Sequence, residues 1–269
     1  DMQFGVMLRG LFDWDDDMKV RFNELMEQAR LIDKLGYDCI TKGSHFSTYP
    51  HQEMTQIPFL CRIMSEAPNV RLNAGIVLLA LHNPMEVADY FATMDLMSGG
   101  RMIFGCALGY REVEYKAFGV EKGTGVTRFE ENLEAVRRLW TDEKVSMKGT
   151  TFELDEARIS VPLQQDPHPP IWIGANADVA IRRAARLGDC WYLNPHQKVE
   201  TLLRQMDLYR EELEKYNKPF PKELPIRREV FCAPTHDEAV ELAAPYIKGM
   251  YDAYKTWGQD KAMAAEDRD

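Results

Sequence analysis

Short β-branched runs alternate with amphipathic stretches along this whole chain, and that order constrains the fold more than any single motif. The runs 3–8, 37–41, 71–79, 102–108, 169–174, 189–193 and 226–233 read as strands. Between the first two, Phe22, Leu25, Met26, Ala29, Ile32 and Leu35 recur at helical spacing over 19–35, and Gly36 is placed to end the helix. The acidic segment Asp13-Trp-Asp-Asp-Asp17 before it reads as a solvated helix N-terminus favoured by the dipole. Further helices are predicted near 56–66, from Pro84 to about 97, from a Thr127-x-x-Glu130 capping box to Trp140, and over 178–187, 199–216 and 237–257. The segment 109–125 reads as a loop and 145–161 as a hairpin excursion.

Seven βα units in succession, with a continuously apolar third strand of the kind buried on both faces, predict a (β/α)8 TIM barrel spanning 1–269 as a single α/β domain. A doubly wound sheet needs a Gly-rich turn directly after an early strand, and neither of the first two strands has one. No eighth unit follows the seventh, and a barrel without it keeps raw strand edges. Either a closing unit lies beyond residue 269 or the fold is not closed. The expectation carried forward is a C-terminally incomplete barrel.

Forty-three acidic against 33 basic side chains give a net charge of −10, which excludes nonspecific binding to nucleic acid or to an anionic membrane. The longest apolar stretch, 74–81, is far short of the ~20 residues a bilayer needs. No signal-peptide pattern precedes the first strand. The five cysteines (Cys39, Cys61, Cys106, Cys190, Cys232) contain no C-x-x-C. They are predicted to be reduced thiols buried as small hydrophobes in a cytoplasmic protein.

In a barrel the chemistry sits at the C-terminal ends of the strands. Here those are the segments 8–11, 42–49, 79–83, 108–111, 174–178 and 193–196. They hold no H-x-H pair, no carboxylate cluster at metal spacing and no G-x-S-x-G, so neither a metal nor a protein nucleophile is expected. A large apolar mouth with few acids and bases points to a cofactor that carries the reaction. Strand five ends in Gly174-Ala-Asn-Ala-Asp178 and passes straight into a helix, a place where small residues and unsatisfied N–H groups suit a phosphate. Arg128 could add a charge-assisted bond. Asp178 repels an anion in that turn, so an ordinary strand-to-helix connection stays open as the alternative.

Three segments resemble the bacterial luciferase-like flavin-dependent oxidoreductases. They are RLNAGIVLLALHNPMEVADYFATMDLMSGGRMIFGCALGYREVEYKAFGV at 71–120, RFEENLEAVRRLW at 128–140 and PPIWIGANADVAIRRAARLGDCW at 169–191. With GSHF at 43–46, the likeness covers nearly the whole chain from Phe4 to Tyr216.

The resemblance implies a barrel of the luciferase type with an insertion, usually a homodimer, that uses reduced FMN or in some branches F420. It implies a non-prolyl cis peptide at Gly75-Ile76 beneath the flavin ring, and flavin contacts at Leu108, Gly109 and Tyr110. It further implies a phosphate arginine at Arg128, a phosphate turn at Gly174, Ala175, Asn176, Ala177 and Asp178, and an aromatic wall at Trp191. Luciferases carry a His-His pair after the second strand. Here the positions are Ser44 and His45, expected as the catalytic polar groups, and light emission from an aldehyde is not implied.

Around this set, His82 and Asn83 read either as site residues or, for Asn83, as a helix cap. Tyr49 and His51 read as substrate-side groups, Cys106 as core, and Glu114 as an exposed loop carboxylate. The expected activity is an FMN-dependent monooxygenase that takes FMNH2 from a separate reductase and O2 to oxygenate a small apolar organic substrate. The alternatives are an F420-dependent oxidoreductase performing hydride transfer and a non-catalytic flavin-binding protein. Lys42, Arg111 and Arg128 are the few cations at the mouth, which favours FMN over the more acidic F420.

Overall fold

Parallel strands carry the core of the chain's first unit, Asp1–Ile171. The structure is a computed structural model that describes residues 2–267, and its second unit is Trp172–Asp269.

The first unit begins with β1 (Gly5–Met7), β2 (Phe12–Asp13), α1 (Met18–Lys34), β3 (Cys39–Lys42), β4 (His51–Gln52) and α2 (Gln56–Glu66). It continues through β5 (Arg71–Leu78), α3 (Pro84–Ser98), β6 (Met102–Ala107), α4 (Glu112–Ala117), α5 (Gly125–Thr141), β7 (Val145–Lys148) and β8 (Glu153–Ala157). Strands β1, β3, β5 and β6 pair in that order, all parallel, with Val6 opposite Ile40, Ile40 opposite Leu72 and Leu72 opposite Met102. Ile40, Leu72, Ala74, Met102, Ile103 and Phe104 are buried, as expected of strands covered on both faces. Outside them Phe91, Phe104 and Trp140 stack edge to face, with ring centroids 4.7 and 5.3 Å apart, and the Trp140 indole N–H donates to the Ala88 carbonyl at 3.1 Å.

Local signals set the ends of the helices. Asp17 accepts the N–H groups of Lys19 and Val20 at the start of α1, so the acidic segment does act as a helix N-terminus. Asn83 accepts the Met85 N–H and Pro84 opens α3, while Gly99 closes it in the left-handed region (φ 68°). The capping box at Thr127 and Glu130 does not start α5. A turn of 3-10 helix at Lys122–Thr124 runs directly into it, so Thr124 stands at the cap with helical angles and makes no side-chain cap bond. That turn and α4 also mean that 109–125 is more ordered than a loop. β7 and β8 form the expected antiparallel hairpin.

The pairing of β5 with β6 shifts register between Ala74 and Val77, around the cis peptide Gly75-Ile76. Gly105 on β6 lies against this irregularity. A Cβ there would stand 2.4 Å from the Ala74 carbonyl oxygen and 2.9 Å from Asn73 Oδ1, so only glycine allows the strands to approach.

The second unit contains β9 (Ile171–Ala175), α6 (Asp178–Leu187), β10 (Cys190–Leu193), α7 (Val199–Lys215) and α8 (His236–Thr256). β9 and β10 are parallel, with Trp172 opposite Cys190 and Ala175 opposite Leu193. Lys218 closes α6 by donating to the carbonyls of Ala185, Arg186 and Gly188 at 2.7, 3.3 and 2.6 Å. The strand expected at 226–233 does not form. Only Ile226 bridges to Leu193, and Val230 is 83% exposed. Beyond that single bridge the run makes no ladder pairing among the described residues. Cys232 is exposed for the same reason, and Cys39 and Cys61 are half-buried, whereas Cys106 and Cys190 are buried as expected. The described residues thus supply six strands of barrel type, four in the first unit and two in the second. None of their helices is long and apolar enough to cross a membrane.

Candidate functional site

In the first unit the segment carrying Ser44 and His45 is pinned at both ends. Lys42, the last residue of β3, pairs with Glu53 at 2.7 Å, and the two side chains are 1% and 2% exposed. Nζ of Lys42 also donates to the Gly43 carbonyl at 3.0 Å. Gln56, at the start of α2, donates to the carbonyls of Lys42 and Ile76 at 2.7 and 3.4 Å, which ties this loop to the cis peptide. Farther out, Gln52 donates to the carbonyls of Asp13, Trp14 and Asp16, while β2 and β4 pair antiparallel. The expected substrate-side groups Tyr49 and His51 lie in this outer part, Tyr49 70% exposed with its ring 5.1 Å from Trp14.

The polar centre forms where this loop meets α4. Oε1 of Glu114 stands 3.2 Å from Nδ1 of His45 and accepts the Phe46 N–H at 2.9 Å. Arg111 reaches the same oxygen at 3.2 Å and donates to the carbonyls of Phe46 and Ser47 at 2.6 and 3.0 Å. Glu114 is therefore not an exposed loop carboxylate: its side chain is 1% exposed. A carboxylate needs several donors when buried, and Arg111, Phe46 and His45 provide them. Facing the carboxylate, Nδ1 of His45 is the natural site of the ring N–H, so acid–base chemistry at this residue falls to Nε2. The Tyr110 ring lies edge-on to His45, 6.0 Å between centroids.

Lys42 and Arg111, two of the three cations expected at the mouth, are thus buried and engaged within the protein. Arg128 differs. Its Nε donates to the Ala80 carbonyl at 2.7 Å, and its two terminal nitrogens make no hydrogen bond among the described residues. One turn further along α5, Asn132 donates to the carbonyls of Leu79 and His82 at 3.0 and 2.9 Å. These bonds fix α5 against the turn that follows β5. The Leu108 carbonyl accepts the Tyr115 hydroxyl at 2.8 Å, and burial pushes that phenol up to about 12. The Tyr110 carbonyl accepts Nζ of Lys122 at 3.0 Å. Gly109 takes a positive φ of 82°. Phe46, His82 and Phe118 pack as an aromatic cluster, and burial holds the His82 imidazole below its ordinary value.

In the second unit the turn after β9 is held tightly from behind. The Asn176 carbonyl accepts from Gln197 and Gln205 at 3.1 and 2.8 Å. Asp178, the first residue of α6, receives two bonds from Arg204 at 2.8 and 3.1 Å and one from Gln205 at 3.0 Å. Arg204 holds its carboxyl below the usual range. The charge that counted against an anion in this turn is therefore compensated by a partner 26 residues away, which no local pattern announces. Ala177 stands at the cap of α6 without a side-chain bond.

Trp191 corrects an expectation. It is fully buried, its ring centroid is 5.6 Å from Tyr209 of α7, and its indole N–H is spent on the Ala175 carbonyl at 2.9 Å. Side chains alternate along a strand, so Trp191 faces the helices, while Tyr192 packs with Trp172 on the opposite face, 5.7 Å between rings. Among the described residues no group of three or more His, Cys, Asp or Glu side chains could hold a metal.

The model of the luciferase-like monooxygenase family matches residues 2–269. The chain belongs to this family. The oxygenase component of the flavin-dependent trigonelline monooxygenase of Acinetobacter baylyi is 24% identical over 89% of this chain and 67% of its own. The F420-dependent glucose-6-phosphate dehydrogenase of Amycolatopsis mediterranei is 28% identical over 62% of this chain and 51% of its own. The chain spans about half the length of several curated relatives it matches. Among solved structures, the monooxygenase RslO1 of Streptomyces bottropensis superposes with a TM-score of 0.86 at 25% identity, over 97% of this chain and 82% of that one. This luciferase-like chain therefore has the TIM-barrel type of fold of its structural neighbours, with an incomplete set of strands among its described residues. The relatives include both flavin- and F420-dependent enzymes.

Proposed function

We propose that this protein is a monooxygenase that uses reduced FMN and O2 to oxygenate a small apolar organic substrate. The observation that carries this reading is the state of the three cations. Lys42 and Arg111 are consumed by Glu53 and Glu114, and Arg128 alone of the three keeps unengaged guanidinium nitrogens. One such cation suits the single phosphate of FMN better than the longer polyanionic tail of F420.

The residues present fit such a cofactor. Arg128, anchored by its own Nε, holds the phosphate with its terminal nitrogens. The Gly75-Ile76 peptide and the backbone of Leu108, Gly109 and Tyr110 form the first unit's surface for the ring. In the second unit the turn from Gly174 to Asp178, with Asp178 compensated by Arg204, is an anion contact of its own. Reduced FMN supplies two electrons to O2, so that one oxygen atom enters the substrate and the other leaves as water. Glu114 holds the His45 ring in one tautomer, and His45 gives or takes a proton at Nε2. The Ser44 hydroxyl is the second polar group beside it. The Phe46, His82 and Phe118 rings keep water from this corner, which strengthens every hydrogen bond made inside it.

By analogy with two-component relatives, a separate reductase supplies the FMNH2; the homodimer is carried over from the luciferase-like resemblance alone. The test couples the full-length protein to a flavin reductase in 18O2 with a panel of apolar substrates. A product carrying one labelled oxygen supports the reading, and a product formed equally well without O2 contradicts it. A second reading, F420-dependent hydride transfer, is favoured by the His45–Glu114 pair, which would equally serve as an acid–base pair at a substrate hydroxyl.

A further inference from the structure

Arg111 stands at the cap of α4, and its guanidinium is turned back onto the loop that carries His45. Nη1 donates to the Phe46 carbonyl at 2.6 Å and to Oε1 of Glu114 at 3.2 Å, and Nη2 donates to the Ser47 carbonyl at 3.0 Å. One side chain thus holds the carbonyls of the two residues that follow His45. Oε1 of Glu114 also accepts the Phe46 N–H at 2.9 Å and faces Nδ1 of His45 at 3.2 Å. A single oxygen gathers a cation, a peptide N–H and the imidazole.

The side chains of Arg111, Glu114 and His45 are 4%, 1% and 18% exposed, so little water screens the charges they carry. With a neutral imidazole the three have no net charge. A protonated imidazole would leave them with one uncompensated positive charge, which burial opposes. Without Arg111 the balance reverses, because Glu114 alone would draw the proton onto His45. The named groups packed around them add no net charge. In the same loop Lys42 and Glu53 pair with each other at 2.7 Å. From the turn after β5, His82 packs on Phe46, and burial holds its imidazole below the ordinary value. Tyr110 presents its ring edge-on to His45.

We propose that Arg111 is a positioning residue of the candidate site: it keeps the His45 imidazole neutral through Glu114 and fixes the backbone that aims the ring. Nε2 then enters the reaction as an acceptor. It takes up one proton and returns it from the same atom, while the proton on Nδ1 stays with Glu114. The proposal rests on the reading above, in which His45 moves a proton at Nε2, and adds that the first move is uptake. Arg111 therefore serves the acid–base pair rather than a bound anion.

The experiment follows the titration of His45 by NMR in the cofactor-free full chain with 15N-labelled histidine. In Arg111→Gln the midpoint should rise by about one pH unit or more relative to the unaltered protein. Arg111→Lys keeps the charge and should move it much less. Arg111→Gln combined with Glu114→Gln removes both charges and should bring the midpoint back towards the starting value. If Arg111→Gln alone does not fold, the comparison runs from Glu114→Gln to the double variant, and the midpoint should rise between them. A merely structural role for Arg111 lowers stability without producing this order. An unmoved or lowered midpoint in Arg111→Gln, or no rise from Glu114→Gln to the double variant, overturns the proposal. In the reductase-coupled assay the acid limb of kcat/KM should move up with the midpoint. The expected order of midpoints with no oxygenated product would remove the oxygenase reading and keep the role of Arg111. Oxygenated product together with an unmoved midpoint would remove the role of Arg111 alone.

Discussion

Oε1 of Glu114 lies 3.2 Å from Nδ1 of His45 and also 3.2 Å from Nη1 of Arg111, so one buried carboxylate oxygen joins the candidate acid–base residue to a buried cation. Removing one partner of such a group strands the other. Glu114→Ala should lower the unfolding free energy by about 3 kcal/mol or more, because Arg111 would remain buried without its counter-charge. Chemical denaturation measures this, and a loss within ~0.5 kcal/mol would show that the pair is not buried as described.

Gly105 is the residue on which the close approach of β5 and β6 depends. Gly105→Ala would force a methyl to within 2.4 Å of the Ala74 carbonyl oxygen, at an expected cost of about 1–3 kcal/mol. Gly249, inside α8, has no atom within 4 Å of its missing Cβ, and Gly249→Ala should raise stability by about 0.4–1 kcal/mol. Thermal or urea unfolding of the two variants should move in opposite directions. Equal effects would contradict the assigned packing.

Acid sensitivity should have a histidine component. Burial first, then Arg227 and Arg228, bring the His196 imidazole down to about 4 from an ordinary 6.5. Between those values the unfolded chain binds the extra proton, so stability is full above about pH 6.5 and falls as the pH drops towards 4. His196→Phe, which keeps an aromatic ring against Tyr251 and Tyr254, should flatten that part of the profile. Asp178, held low by Arg204, contributes in the opposite sense of charge and in a more acidic window: its stabilisation is present above its ordinary value of 3.8 and is lost below it. An unchanged slope between pH 4 and 6.5 in His196→Phe would rule out His196 as its source.

The strongly patterned parts of the fold are legible in the sequence. The apolar run of β5, the Asn83-Pro84 start and Gly99 end of α3, and the hairpin of β7 and β8 all follow from local chemistry. The resemblance adds the cis bond at Gly75-Ile76, which no local propensity would announce. What stays hidden depends on partners distant in sequence. Glu114 reads as a surface residue until His45 and Phe46, nearly seventy positions away, are folded onto it. Asp178 reads as hostile to an anion until Arg204 is placed beside it. Trp191 fails for a different reason: a period of two gives adjacent strand residues opposite faces, and only the packing against Tyr209 decides which face is which. The run 226–233 has the composition of a strand but makes only the Ile226 bridge among the described residues.

Arg128 bears the main weight of the cofactor assignment. Arg128→Ala should weaken FMNH2 binding by about tenfold or more, about 1.4 kcal/mol, and Arg128→Lys should restore little, since a lysine cannot bond the Ala80 carbonyl through Nε and present two further donors at once.

The most direct measurement is an anaerobic titration of the full-length protein with FMNH2 and, in parallel, with reduced F420. The account predicts saturable binding of FMNH2 that Arg128→Ala weakens, and much weaker binding of F420. Tight binding of F420 with none of FMNH2 would contradict it.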